Sequence, residues 1–496
     1  MRSQGDALGW NLLTPLALIS RHEQTIRHVG NLRSLGQMKR KNSPVVFSNQ
    51  SLLRRIVLSA AALLLIVFAA GAGPNQTTTQ TPLFDVVHYD LLLEPDIVRK
   101  SVTGTETIRF ISRTAALREV ELNCGELSID SVKDQGGAQK FVRRERQLII
   151  SLSRAMKQDE TREIEIEYHG SPRRGIRFWP DRRQVYTVFS TSQWMVCLDG
   201  PDRRATLNLK LVLPEGLTAV ANDRMVSQHT LANGKILSEW KQDAPVPTYV
   251  FGFVVGKVRT VTEPHGHVEL RYVSEQYTDD ELRKIFRDTA KMIDFYEDKA
   301  GVKYPYPTYS QVLAAGGVEQ EMSSFTALRE TYGHDVLANE RAIWLGAHEL
   351  AHQWWGNMVT NRDWTHFWLN EGIASFMASA YKERRFGKAE YLKDIEEYRL
   401  NYEKVRTAGK DRSLVFPDWN NATAEDRTLV YDKGAYVIHL LRTELGEQPF
   451  WSGIRLYTRS YFGKSVTTAD FQRAMEEASK RNLQEFFNKW VYLRAA

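Results

Sequence analysis

Cysteine is nearly absent: Cys124 and Cys197 are the only two in 496 residues. Two thiols exclude a disulfide-stapled framework, and they supply no zinc-ribbon spacing. Internal repeats are missing too, which argues against a solenoid or a propeller. Outside a short leader there is no excess charge of either sign. Residues 1–55 carry nine Lys/Arg against Asp6 and Glu23, a net of +7, while the whole chain is +6, so residues 56–496 come to about −1. The sequence pI of 9.0 therefore describes the leader, and nucleic-acid binding is not expected. No apolar run comfortably reaches bilayer length. Ile56 to Ala72, broken only by Ser59, is short of the roughly 20 residues a spanning helix takes. Arg54-Arg55 before it, Ala70-Gly71-Ala72 at its end and a Thr/Gln-rich tail after it read as a secretory signal with an A-x-A cleavage site. An uncleaved membrane anchor is the alternative, and both place the folded part outside the cytoplasm. Met38 before Lys39-Arg40-Lys41 would also start a conventional signal peptide.

At 42% hydrophobic residues, the chain can bury two or three cores. The expected division is a basic leader (1–55), a signal or anchor (56–73), a linker (74–82), an N-terminal β domain (83–274) and a mostly helical catalytic domain (275–496). Between Tyr89 and Val273, short alternating runs separated by turns predict a sandwich or saddle-shaped sheet. Asp279 to Ala300 then shows apolar residues at helical spacing, ended by Gly301 and Pro305. Strands are predicted at Tyr309 to Ala314 and near Ser324 to Leu328, then helices from about Asn339 to Gly356 and from Asn370 to Gly387.

Within the first of those two helices lies His348-Glu349-Leu350-Ala351-His352, and after eighteen intervening residues comes Glu371. Imidazoles at i and i+4 share one helix face and can reach one ion, with the carboxylate of Glu349 beside it. Two His and a later Glu, with water in an open fourth position, form the ligand set of a hydrolytic zinc site. The reading is one Zn2+ per chain held by His348, His352 and Glu371, with Glu349 as general base.

His348 to Thr360 and Trp368-Leu-Asn-Glu-Gly-Ile-Ala374 closely resemble the zinc segments of the membrane alanyl aminopeptidase family. These are gluzincins, whose third ligand is a Glu, and they include leukotriene hydrolase. The resemblance runs, with gaps, from about residue 82 to the C-terminus. It implies a β domain followed by a thermolysin-like domain, and removal of N-terminal residues from peptides that carry a free amine. Tyr431, in Tyr431-Asp432-Lys433-Gly434, matches the family's catalytic tyrosine, a second donor for the oxyanion. Gly316-Gly317-Val318-Glu319-Gln320 resembles the Gly-x-Met-Glu-Asn motif, with departures at Val318 and Gln320; this makes Glu319 the partner of the substrate ammonium and Gly316 and Gly317 part of its loop. Gln193 resembles the Gln that assists there. Cys197, in Val196-Cys197-Leu198-Asp199, stands where the family buries a Cys, so two buried thiols are expected. His334, His366 and His439 read as structural. The close at Phe486 to Tyr492 resembles the end of the family's catalytic domain, so the sandwich and helical-repeat domains of larger members are not expected.

Three other functions compete with this reading. A thermolysin-like endopeptidase shares the His-Glu-x-x-His and distant Glu, but not Glu319 or the β domain. An epoxide hydrolase side activity would use the same metal. A scaffold with a dead site would usually have lost a ligand or the base, and here all are intact.

Overall fold

The computed structural model describes residues 82–493, apart from residue 318 and residues 418–421. The leader, Ile56 to Ala72 and most of the linker lie outside the described residues. No described helix is long and apolar enough to cross a membrane.

Alternating burial along Phe84–Asp96 and Ser101–Ser112 is the pattern of strands with one face on a core. They pair antiparallel at the centre of an eight-stranded sheet, and Phe84–Asp96 also pairs parallel with Arg204–Leu213. A three-stranded sheet lies beside it in sequence, built from Leu117–Asn123, Gln147–Met156 and Lys140–Arg144. A four-stranded sheet ends at the edge strand Ile176–Trp179, which pairs with Gln184–Thr187. Cys124 and Cys197 are both buried, as expected.

The change to helix expected at residue 274 is real in secondary structure, but the strand pairing crosses it. Val268–Ser274 runs parallel to Thr308–Ala314, which runs parallel to Phe325–Arg329. The last strands before the boundary therefore belong to the sheet that carries the catalytic elements. The single helix predicted over Asp279 to Ala300 is two, Asp279–Ile285 and Thr289–Ala300, because Phe286 caps the first.

Helices dominate after Arg329. The ligand helix is shorter than predicted, Trp344–Ala351. Its expected first residues instead close the preceding helix Glu330–Ala338, where the Asn339 amide donates to Asp335. At its other end the amides of Gln353 and Trp354 bond back three residues, tightening the chain into turns. Leu345 to Ala351 are all buried. Tyr296 holds this helix by donating to the Ala347 carbonyl at 2.8 Å. The helix Trp368–Phe386 places Glu371 in its first turn, as predicted. Between the two, Trp354, Trp355 and Trp368 are fully buried, and each indole N–H finds an acceptor, on Val302, Thr458 and Thr468.

Candidate metal and substrate site

One helical turn brings the His348 and His352 Nε2 atoms to 3.0 Å from each other, and Glu371 Oε2 lies 3.3 Å and 3.4 Å from them. A tetrahedral zinc with bonds of 2.0–2.2 Å separates its ligand atoms by about 3.4 Å. The three buried donors therefore fit that ion, and they are the donor cluster found among the described residues. The tautomers suit it as well. His352 Nδ1 lies 3.0 Å from the Trp355 carbonyl, which can only accept, so Nδ1 carries the proton and Nε2 keeps its lone pair for the metal. His348 Nδ1 faces Ser375 Oγ at 3.4 Å, one turn beyond Glu371 on the same helix.

Glu349 is buried, and its Oε2 meets no hydrogen-bond donor. Burial pushes its carboxyl well above the ordinary range; His352 opposes this, and Glu321 and Glu371 add to it. Such a group can accept and return a proton. The Tyr431 ring stacks on His348 at 5.9 Å between centroids. Tyr431 lies in the π-turn Leu429–Lys433, a widened turn that runs into the helix Gly434–Leu445. Burial, then Glu371, Glu321 and Glu349, keep its hydroxyl protonated to far above neutral pH, so it is a donor.

In the loop that the resemblance assigns to the substrate amine, two carboxylates lie close in sequence, Glu319 and Glu321. Glu319, whose side chain is 4% exposed, is already paired: Arg329 Nη1 donates to its Oε1 at 2.6 Å. Glu321, two residues on, is the carboxylate beside the metal donors. Its Oε1 is buried without a donor, and burial raises its carboxyl to about 7 against the pull of His352. The ligand-helix segment fixes this loop directly: Asn357 Nδ2 donates to the Glu321 carbonyl, and Gln353 bridges the Met322 carbonyl and the Ser324 amide. Gln320 Nε2 donates to Glu321 Oε2 at 2.7 Å. Gln193 is buried against Gly125 and Gly175, in the β region, while Gly316 and Gly317 are exposed at the mouth of the loop. His366, His439 and His334 stand apart from the metal donors, against Thr468, Tyr391 and Tyr277.

Comparison with known proteins agrees with this geometry. Residues 86–250 match the Peptidase M1 N-terminal domain, and residues 285–490 match the Peptidase family M1 domain. The chain belongs to peptidase family M1. Among its relatives, the "Probable aminopeptidase 2" of Sulfurisphaera tokodaii is 26% identical over 422 residues, covering 81% of this chain and 53% of the relative. The alanine/arginine aminopeptidase of Saccharomyces cerevisiae is 24% identical, with 83% and 51% covered. The chain thus spans about half the length of the curated relatives it matches. The solved M1 zinc metallopeptidase from Deinococcus radiodurans shares the fold, with a TM-score of 0.70 at 23% identity, covering 83% of this chain and 94% of that one. A mutant form of it bound to a Tyr-Ser-Ala substrate gives 0.71, with 83% and 95% covered.

For this M1 protein, sequence reasoning singled out Glu319 and not Glu321, the carboxylate on which His352 and Glu371 act. Residues i and i+2 of an extended chain share a face, so Glu319 and Glu321 look alike in sequence. Arg329, ten residues on, decides which is neutralised.

Proposed function

We propose that this M1 protein is a zinc-dependent aminopeptidase that releases the N-terminal residue of peptides. One observation carries the reading: beside a three-ligand metal site lie two buried carboxylates, Glu349 and Glu321, that form no ion pair with Lys or Arg among the described residues, whereas Glu319, which also keeps one oxygen without a donor, is neutralised by Arg329. His348, His352 and Glu371 would hold the ion, which when bound supplies the Lewis acidity that polarises a peptide carbonyl and lets water ionise near neutral pH. Glu349 takes the proton of the attacking water and delivers it to the departing amine. The Tyr431 hydroxyl donates to the carbonyl oxygen as it becomes negative. Glu321 pairs with the substrate ammonium, the role first read for Glu319, and so fixes cleavage one residue from the free end. Gln320 exchanges two backbone bonds with Ala327, which turns the backbone groups of Glu319 outward, toward an extended substrate, while the Glu321 carbonyl is taken by Asn357.

The test is hydrolysis of a panel of aminoacyl anilides, with and without chelator, beside N-acetylated controls. Turnover of free-amine substrates that stops on chelation and returns with zinc is expected. Equal hydrolysis of acetylated and free substrates would instead favour the endopeptidase reading.

We also propose export, either by signal cleavage near Gly73 or with Ile56 to Ala72 retained as a membrane anchor. The support is the basic flank, apolar run and polar tail of the sequence. N-terminal sequencing of the mature protein checks it, and an intact Met1 in a soluble cytoplasmic fraction would contradict it.

A further inference from the structure

The segment from Arg173 to Arg183 holds five arginines against Asp181 alone. It contains the edge strand Ile176–Trp179, whose outer flank pairs with no strand among the described residues. Nearby carboxylates are already engaged. Arg182 is held by Glu275 and Glu330, and Glu319 by Arg329. Arg173, Arg174 and Arg177, by contrast, have no carboxylate within ion-pair distance among the described residues. Arg177 Nη1 donates only to the Arg173 carbonyl, at 3.2 Å.

This cationic edge adjoins the substrate loop. Arg177 lies opposite Tyr186 in the strand register, and its charge acts on the Tyr186 hydroxyl. That hydroxyl donates to the Ala315 carbonyl at 2.7 Å and accepts from Trp179 Nε1 at 3.3 Å. The Trp179 ring, 37% exposed, lies directly over Gly316, and Gly317 beside it faces open space. Beyond Glu321 in the other direction most of the backbone is occupied. Gln353 takes the Met322 carbonyl and the Ser324 amide, Val250 takes the Ser323 amide, and Asn222 takes the Ser323 carbonyl. A peptide anchored by its amine at Glu321 therefore finds its open edge along Gly317 and Gly316, toward Trp179 and Arg177.

We propose that Arg177, backed by Arg173 and Arg174 and floored by Trp179, is a subsite for a carboxylate of the bound peptide, so that the preferred substrates are acidic or short peptides. The inference rests on the aminopeptidase reading. At about 3.3–3.6 Å per extended residue, the five residue steps from Glu321 back to Gly316 set an upper bound of about five substrate residues between the amine and that carboxylate. It can be an acidic side chain or the C-terminal carboxylate of a short peptide.

The experiment compares kcat/KM for matched peptides in the zinc-loaded full chain. One pair differs in a free or amidated C-terminus, and another, both amidated, has Glu or Gln at the fourth position. In low salt the wild type should favour the carboxylate in at least one pair by about two- to fivefold, the range of exposed ion pairs. The preference should shrink in high salt. Arg177→Gln should abolish it, and Arg177→Lys should retain part of it. Equal rates within both pairs, a preference indifferent to salt, or a preference that survives Arg177→Gln would overturn the subsite. Failure to release the N-terminal residue from any of these peptides would count against the aminopeptidase reading instead.

Discussion

Glu349 and Glu371 share one buried chamber yet take opposite protonation preferences, because their partners differ. Against the burial that would raise it, the imidazoles of His352 and His348 hold Glu371 down to about 2. Glu349 has no such partner for its Oε2. These environments suit the roles proposed here, Glu371 as a ligand and Glu349 as a proton carrier. Glu349→Gln should keep zinc by elemental analysis while turnover falls by roughly 10²–10⁴; near-normal rates in a metal-loaded variant would remove Glu349 from the mechanism. Tyr431→Phe should lower kcat and kcat/KM together, the mark of a bond made in the transition state. A change confined to KM would make Tyr431 a ground-state contact. Glu321→Ala should damage free-amine substrates far more than blocked ones, whereas Glu319→Ala should chiefly destabilise the loop by freeing Arg329. Reversed effects would return the amine to Glu319. At this scale, His348, Glu349 and His352 were legible because helical spacing alone brings them together, and Glu371 because it stands in the first turn of the next predicted helix. The role proposed for Glu321 was not, because it depends on Arg329 of a later strand pairing with Glu319 instead.

Among the secondary-structure elements, the helices Trp368–Phe386 and Gly434–Leu445 meet without side chains between them. A Cβ built on Gly372 would lie 2.9 Å from the Gly434 Cα. This contact brings the helix of Glu371 against the element that follows Tyr431. Gly372→Ala should push the two apart, costing about 1–3 kcal/mol as overpacking does. A lower Tm and a lower kcat are expected; an alanine variant unchanged in both would show that the close approach is unimportant. The helix of Glu371 was readable from Asn370 to Gly387 within two residues. The π-turn of Tyr431 was not, since an extra residue in a helical turn leaves no periodic signature. At its end the ligand helix was overestimated because the amides of Gln353 and Trp354 bond back three residues, not four, and the sequence pattern does not distinguish these spacings.

The whole molecule ties its β region to its catalytic region at the metal. The Tyr249 hydroxyl donates to the Gly356 carbonyl and accepts from Asn370, the neighbour of Glu371. Arg204 reaches across to Met358, Thr360 and Lys464. Zinc should therefore stabilise the folded chain as a unit, each tenfold of free zinc above its Kd adding about 1.4 kcal/mol. Chelation should lower the Tm and zinc should restore it; a Tm indifferent to chelation would mean that the three donors hold no ion. The central claim is that a free amine held by a buried carboxylate directs a zinc hydrolase to the first peptide bond. The most direct measurement is the kcat/KM of one peptide with its N-terminus free and acetylated, in zinc-loaded wild type. A charge-assisted contact of ~1.5 to 3 kcal/mol predicts roughly a tenfold to hundredfold preference for the free form, with release of the first residue only. Internal cleavage of the acetylated peptide at the same rate would contradict the account.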